Sequence, residues 1–222
     1  MPRQQSQNWW RSCPWTLALV ALMGMANLGL VASGWDPARA VVGCFQFDRQ
    51  AILHGELWRL VTANFVHWSI EHFLLDAGAF LLVGLLYERH FGRSYPWMLL
   101  ACGLAVGCGV FAMVPEMATY RGLSGVDSGQ FAAALCVEAD LARRDRSRWL
   151  WLTPVAAIFA AKILWEITTG QMFFGTESLG DIGLPVPVAH AVGTATAVAF
   201  VAVQRVVPLQ LPRTTRWEPE CL

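Results

Sequence analysis

Long apolar stretches alternate with short charged ones along this chain. The spacing predicts six membrane helices at about 15–34, 69–88, 95–114, 124–142, 149–169 and 187–207. Each approaches the roughly 20 residues that cross a bilayer. Between the first two lies a segment, 35–68, that carries Asp36, Arg39, Asp48, Arg49, Glu56 and Arg59 and is too charged to span. Its amphipathic part, Ala51–Phe65, is expected to lie in the interface. The fold class expected is all-α: a polytopic bundle of six transmembrane helices with an interfacial first loop. It forms one membrane domain over 1–222, with tails at 1–14 and 208–222. The apolar run Trp15–Gly34, preceded by Arg3 and Arg11 and followed by Ala38, Arg39 and Ala40, imitates a signal peptide. It is longer than the usual signal core, so an uncleaved first helix is expected.

Arginines orient the bundle. Arg3, Arg11, Arg89, Arg93, Arg143, Arg144, Arg146, Arg148, Arg205, Arg213 and Arg216 fall on one side, and only Arg39, Arg49, Arg59 and Arg121 on the other. The positive-inside rule then puts both termini in the cytoplasm. Trp9, Trp10, Trp15, Trp97, Trp149 and Trp151 mark an inner aromatic belt; Trp35, Trp58 and Trp68 mark an outer one. The short loops and dense tryptophan favour a bacterial inner membrane. The chain is 55% apolar with zero formal net charge, and nothing interleaves basic and aromatic residues, so no nucleic acid is expected. The six cysteines form no CxxC pair; small buried hydrophobes are expected rather than a disulfide frame or a zinc site. Neither metal nor cofactor is called for. His67 to His72 has the wrong spacing for a zinc-protease helix.

This topology places polar groups from distant parts of the chain at one depth. Ser124 opens the fourth span and His190 lies in the first turn or so of the sixth, both at the outer face. His72 and Asp76 lie one to two turns into the second span, about 40° apart on one helix face. His67 is more than about 100° away and is assigned to the turn before the span. Ser124, Asp127 and Ser128 share a face of span four, beside a small face of Gly125, Gly129 and Ala132. On span six, His190, Gly193, Thr194 and Ala197 form a small and polar stripe. Small residues let membrane helices approach closely, so spans four and six are expected to pack backbone to backbone and bring Ser124 within reach of His190. Ser124 sits in a Gly122, Leu123, Ser124, Gly125 box. Serine hydrolysis needs a hydroxyl, a base and oxyanion donors, and ionisable groups in lipid are costly and usually functional. For Lys162 and Glu166, i,i+4 on span five, the expectation is an ion pair neutralised in place. Asp127 either neutralises Lys162 or polarises a neighbour of Ser124.

Three segments together resemble one family. Gly55, Glu56, Trp58, Arg59 and Thr62, continuing through His67, His72 and Asp76, look like the first-loop and second-helix signature of the rhomboid intramembrane serine proteases. Gly122 to Gly125 resembles their nucleophile box, and Ala189, His190 and Gly193 their base motif. The resemblance covers residues 55 to about 200, and the lean layout is most similar to the rhombosortase subgroup. It implies a rhomboid-like bundle and a Ser124–His190 dyad with no third acid. Ser124 is then the nucleophile and His190 the general base. His72 and the Ser124 N–H hold the oxyanion, with Asp76, Gly122, Gly125 and Asp127 supporting, while Glu56, Trp58 and Arg59 brace the first loop. It implies, as partners, transmembrane protein substrates in membrane lipid, cut near the outer face. For rhombosortases the substrate is a C-terminal sorting tail of a surface protein. Three positions depart from the family pattern: Asp76 replaces the usual Asn, Ser128 a common Tyr, and Ala197 a second Gly.

Two other classes compete. A non-catalytic rhomboid-like binder of membrane helices should lack the serine or the base, and this chain has both. A transporter using His72, Asp76, Asp127, Lys162, Glu166 and His190 leaves the serine box unexplained and shows no inverted repeat of broken helices.

Overall fold

The computed structural model describes residues 13–28, 36–171 and 186–206. The tails, Arg3, Arg11, Trp9, Trp10, Trp35, Arg213, Arg216 and Cys221, and the end of the expected first span, lie outside the described residues. The fold is mostly helical. Its principal helices are α1 (Pro14–Ala26), α5 (Ile70–Phe91), α6 (Tyr95–Met113), α7 (Ser124–Ala142), α8 (Trp149–Thr169) and α9 (Pro187–Val206). Between α1 and α5 come α2 (Asp36–Phe45), β1 (Phe47–Asp48), α3 (Arg49–Leu53) and α4 (Arg59–Thr62); β2 (Thr119–Tyr120) precedes α7.

Local chemistry sets the helix edges. The Ser69 side chain caps α5 by accepting the His72 N–H at 3.2 Å, which fixes His72 in the first turn. Pro96 and Pro187 sit at helix starts, where the missing N–H costs nothing. Among the described residues, three stretches are long and apolar enough to cross a membrane: Ile70–Met113, which holds both α5 and α6, then Arg146–Thr169 and Pro187–Val206. The other two principal helices fall short of that measure for separate reasons. α7 carries Asp127, Glu138 and Asp140, and α1 is an apolar helix of only 13 residues.

The core lies where α1, α5, α6, α7 and α9 meet, around Phe80, Tyr95, Met98, Cys102, Val126 and Ala197. Two buried glutamates are paired here. Glu88 accepts from the Trp15 and Thr16 N–H groups at 3.0 and 2.7 Å and from the Thr16 hydroxyl at 2.6 Å, fastening the start of α1 to the end of α5. Glu138 accepts from Tyr87 and Arg148, at 2.8 and 2.9 Å. α8 is the outlier. Only Leu152 and Glu166 are buried on it, and Leu150, Ile158, Leu164, Trp165 and Ile167 face outward.

The amphipathic part of the first loop, 51–65, folds as short helical pieces. It breaks at His54 and Gly55, where Gly55 adopts φ +104°, and resumes as α4 and a 3-10 turn at Ala63–Phe65. Arg49, one of the charges that keep this loop out of the bilayer, clamps the loop to the end of α6. Its guanidinium donates to the carbonyls of Val110, Phe111, Val114 and Met117 at 3.3, 2.9, 2.7 and 3.0 Å. Phe111 is one of the carbonyls a helix end leaves unpaired; those of Val110 and Val114 also accept the Val114 and Met117 N–H groups, and Met117 lies beyond the helix. Arg59 is buried and donates to Glu56, Gly43 and Gln46 at 2.7, 2.7 and 2.9 Å. Trp58 adds one long bond, 3.4 Å to Cys44, and is exposed. The antiparallel β1–β2 ladder, which helical periodicity could not foresee, pairs Phe47 with Tyr120 and Asp48 with Thr119. The loop is thereby tied to the segment that leads into Ser124.

Candidate functional site

The site forms where α7 and α9 cross. A Cβ at Gly193 would collide with the Gly125 carbonyl; one at Gly125 would lie 2.9 Å from the Ala189 carbonyl, and one at Gly129 2.7 Å from the Gly193 carbonyl. Each is below ordinary contact, so side-chain-free positions on both helices set the spacing. Backbones this close put the first turns of the two helices in register. Ser124 Oγ lies 3.0 Å from His190 Nε2. His190 is buried, while Ser124 keeps partial exposure. One turn along, the Ser128 hydroxyl donates to the Ser124 carbonyl at 2.9 Å.

The far side of His190 is occupied. Its Nδ1 lies 2.7 Å from Glu166 Oε2, and Lys162 Nζ donates to the same oxygen at 2.8 Å while standing 3.1 Å from Nδ1. The ion pair expected between Lys162 and Glu166 is therefore present, and it also reaches across to the imidazole. The sequence gives the pair but not its rotation toward α9. The available signal was the presence of two charges on a helix otherwise built to face lipid.

A second cluster flanks the serine box. Asp76 is buried, and its Oδ2 accepts the Leu123 N–H at 2.8 Å. The same oxygen lies 3.3 Å from His67 Nε2 and 3.3 Å from His72 Nε2. The two imidazoles meet edge to face at 5.0 Å. His67, assigned from the sequence to the preceding turn, is fully buried in this cluster. Burial pushes its pKa down, against the upward pull of Asp76. Gly122 sits at φ +128°, and a Cβ there would lie 2.9 Å from the His72 ring, so only glycine lets His72 lie against the box. Asp127 stands apart: Lys162 is taken by Glu166, and Asp127 Oδ1 is buried without a hydrogen-bond partner among the described residues.

The structure thus brings together Ser124, His190, Glu166 and Lys162 on one side and Leu123, Asp76, His72, His67 and Gly122 on the other. Gly125 serves the helix crossing. Glu56 and Arg59 serve the first loop. Because Leu123 is held by Asp76, the peptide that leads into Ser124 is fixed, and the opening N–H groups of α7 have no intrahelical acceptor. Among the described residues no group of three or more His, Cys, Asp or Glu side chains is arranged to hold a metal ion.

No curated protein matches the chain. The family model of the Rhomboid domain matches residues 54–205, the stretch that runs from the first loop through the Ser124 box to the end of α9. That match covers well over half of the sequence and includes both halves of the site. The chain therefore belongs to the rhomboid family, whose members are generally intramembrane serine proteases with some inactive relatives, and it is an integral membrane protein.

Proposed function

We propose that this protein is an intramembrane serine endopeptidase in which Ser124 is the nucleophile and His190 the general base. The single observation that carries this reading is the 3.0 Å approach of Ser124 Oγ to His190 Nε2 between two helices that cross glycine to glycine. An inactive relative has no need of an oriented hydroxyl and base at the mouth of two helices.

In this mechanism the Ser124 oxygen attacks a substrate backbone carbonyl while its proton passes to His190 Nε2. The oxyanion is received by the Ser124 N–H and the His72 side chain. His190 then returns the proton to the leaving amine, and water, activated by the same imidazole, hydrolyses the acyl-enzyme. Asp76 supports the oxyanion side as an acceptor: its Oδ2 takes the Leu123 N–H and flanks both His67 and His72. It holds donors in place rather than donating itself.

The chain reads as six spans with both termini in the cytoplasm of a bacterial inner membrane, so that the site opens near the outer face. Its substrates are membrane-anchored proteins. The resemblance to rhombosortases favours C-terminal sorting tails built from small residues, a membrane helix and a basic end.

Fluorophosphonate labelling in native-like membranes tests the chemistry without a known substrate. The expected result is labelling of wild type that is lost in Ser124→Ala and His190→Ala while both stay folded. A wild type that stays unlabelled beside an active intramembrane protease overturns the reading.

A further inference from the structure

We infer that Glu166 is a positioning residue for His190, completing a serine, histidine and carboxylate relay in the membrane, with Lys162 as its counter-ion. This rests on the reading of Ser124 and His190 as nucleophile and base.

Glu166 Oε2 is the single acceptor on which two groups converge, His190 Nδ1 at 2.7 Å and Lys162 Nζ at 2.8 Å. An ionised carboxylate can only accept, so the 2.7 Å contact with Glu166 Oε2 calls for a proton on Nδ1, and the 3.1 Å approach of Lys162 to Nδ1 is then the contact of two donors sharing one oxygen. That assigns the imidazole proton to Nδ1. Nε2 is left with its lone pair, 3.0 Å from the Ser124 hydroxyl. The opposite tautomer is inert: Nε2–H would point at Ser124 Oγ, and Lys162 would donate to Nδ1. Glu166 therefore selects between a working base and a blocked one, and its carboxylate then faces the imidazolium that forms when Ser124 attacks.

The cost of the arrangement points the same way. The Glu166 side chain is only 1% exposed, on a helix that buries one other residue, Leu152. A carboxylate so placed is expensive unless paired and hydrogen-bonded. An ion pair serving α8 alone has no reason to turn its acid inward onto an imidazole, because lysine stems can carry charge toward the membrane surface.

The test uses the full chain in lipid nanodiscs, a fluorophosphonate probe and the variants Glu166→Gln, Glu166→Asp and Lys162→Met/Glu166→Gln. Glu166→Gln should lower the maximal phosphonylation rate by up to about 10⁴-fold, the loss seen when a catalytic histidine is held in the wrong tautomer. The concentration of probe giving half that rate should not change. The double variant, which removes the lysine as well, should remain slow, and Glu166→Asp should recover part of the rate. Recovery of wild-type rate in the double variant would mean that Glu166 merely neutralises Lys162, and overturns the inference. So does a Glu166→Gln protein that labels at the wild-type rate. If the glutamine variants do not fold, ¹⁵N NMR of the wild-type histidines decides, with the His190 signal assigned by its loss in His190→Ala. A proton on Nδ1 supports the relay and a proton on Nε2 refutes it. A wild type that does not label removes the nucleophile reading and this inference together, whereas a labelled wild type with an indifferent Glu166 removes the inference alone.

Discussion

Adding one methyl group at Gly129 should disable the site without touching it. Gly129 lies in α7, one turn beyond Gly125, and its Cβ would meet the Gly193 carbonyl at 2.7 Å and Cys102 Sγ at 3.0 Å. Ordinary contact begins at 3.4 Å, so α7 and α9 must part by about 0.7 Å, the difference between 3.4 and 2.7 Å. Both partners are on packed helices, one of them backbone, and neither can swing aside. Carried as a rigid shift to the first turn, that separation takes Ser124 Oγ from 3.0 Å to about 3.7 Å from His190 Nε2, outside hydrogen-bond range. Misplacement by about 1 Å costs on the order of 10²-fold in rate, so a loss of roughly 10–100-fold is expected. Overpacking should also lower stability by about 1–3 kcal/mol. The assay is the fluorophosphonate labelling rate beside thermal unfolding of the same preparation. Gly78→Ala is the matched control: its Cβ would meet nothing within 4 Å, so it should label normally and be as stable as wild type or slightly more so. A folded Gly129→Ala protein that labels at the wild-type rate would refute the claim that the glycine crossing sets the distance between serine and base.

Three further perturbations separate the roles around this crossing. Asp76→Asn keeps an oxygen for the Leu123 N–H and should label within about tenfold of wild type, whereas Asp76→Ala strands that N–H at a cost of about 1–3 kcal/mol and should lose most labelling; an inactive, folded Asn variant would show that the charge itself is needed. Arg49→Ala should cost about 1–3 kcal/mol in thermal unfolding because the Phe111 and Met117 carbonyls lose their side-chain donor while those of Val110 and Val114 keep only a backbone one, and Arg49→Lys should recover little, since one ammonium cannot match a planar fork. His67 has a lowered pKa in the fold, so the unfolded chain binds the proton first as pH drops below the ordinary value of 6.5. Stability should therefore fall on acidification from that pH until the depressed folded value is passed, and His67→Asn should flatten that part of the unfolding-versus-pH curve.

Much of the site was legible because membrane helices write simple patterns. The apolar runs predicted starts at 69, 124, 149 and 187, and helices begin at Ile70, Ser124, Trp149 and Pro187. The small faces around Gly125, Gly129 and Gly193 predicted the crossing, since glycine in lipid has few purposes other than close approach. The first loop was read less well. The amphipathic character of 51–65 is legible, but its break at Gly55 and the tertiary bonds from Arg49 and Arg59 that shape it leave no local periodic signal. His67 lies in the turn before α5, as its angular offset from His72 implies, but that offset says nothing of how the turn folds back to bury His67 beside Asp76. Glu166 was seen as one half of a pair on its own helix. Its second partner depends on how α8 is rotated against α9, and α8 is apolar on nearly every side, so no distinct face specifies that rotation in the sequence.

The buried carboxylates show what sets the site apart from the scaffold. Glu88 is held by two backbone N–H groups at the start of α1 and by a hydroxyl. None of these titrates near neutral pH, and the helix dipole favours the negative charge there. Glu138 is met by a tyrosine and an arginine, also fixed in charge. These arrangements suit groups whose only task is to hold helices together. Asp76 and Glu166, at the other end of the bundle, each face imidazoles, the one side chain whose ordinary pKa lets it change charge near pH 7. The chain had a cheaper way to bury an acid and used it at Glu88. That it surrounds the serine box with acid–imidazole contacts instead is a physical reason, independent of motif, to place proton transfer there.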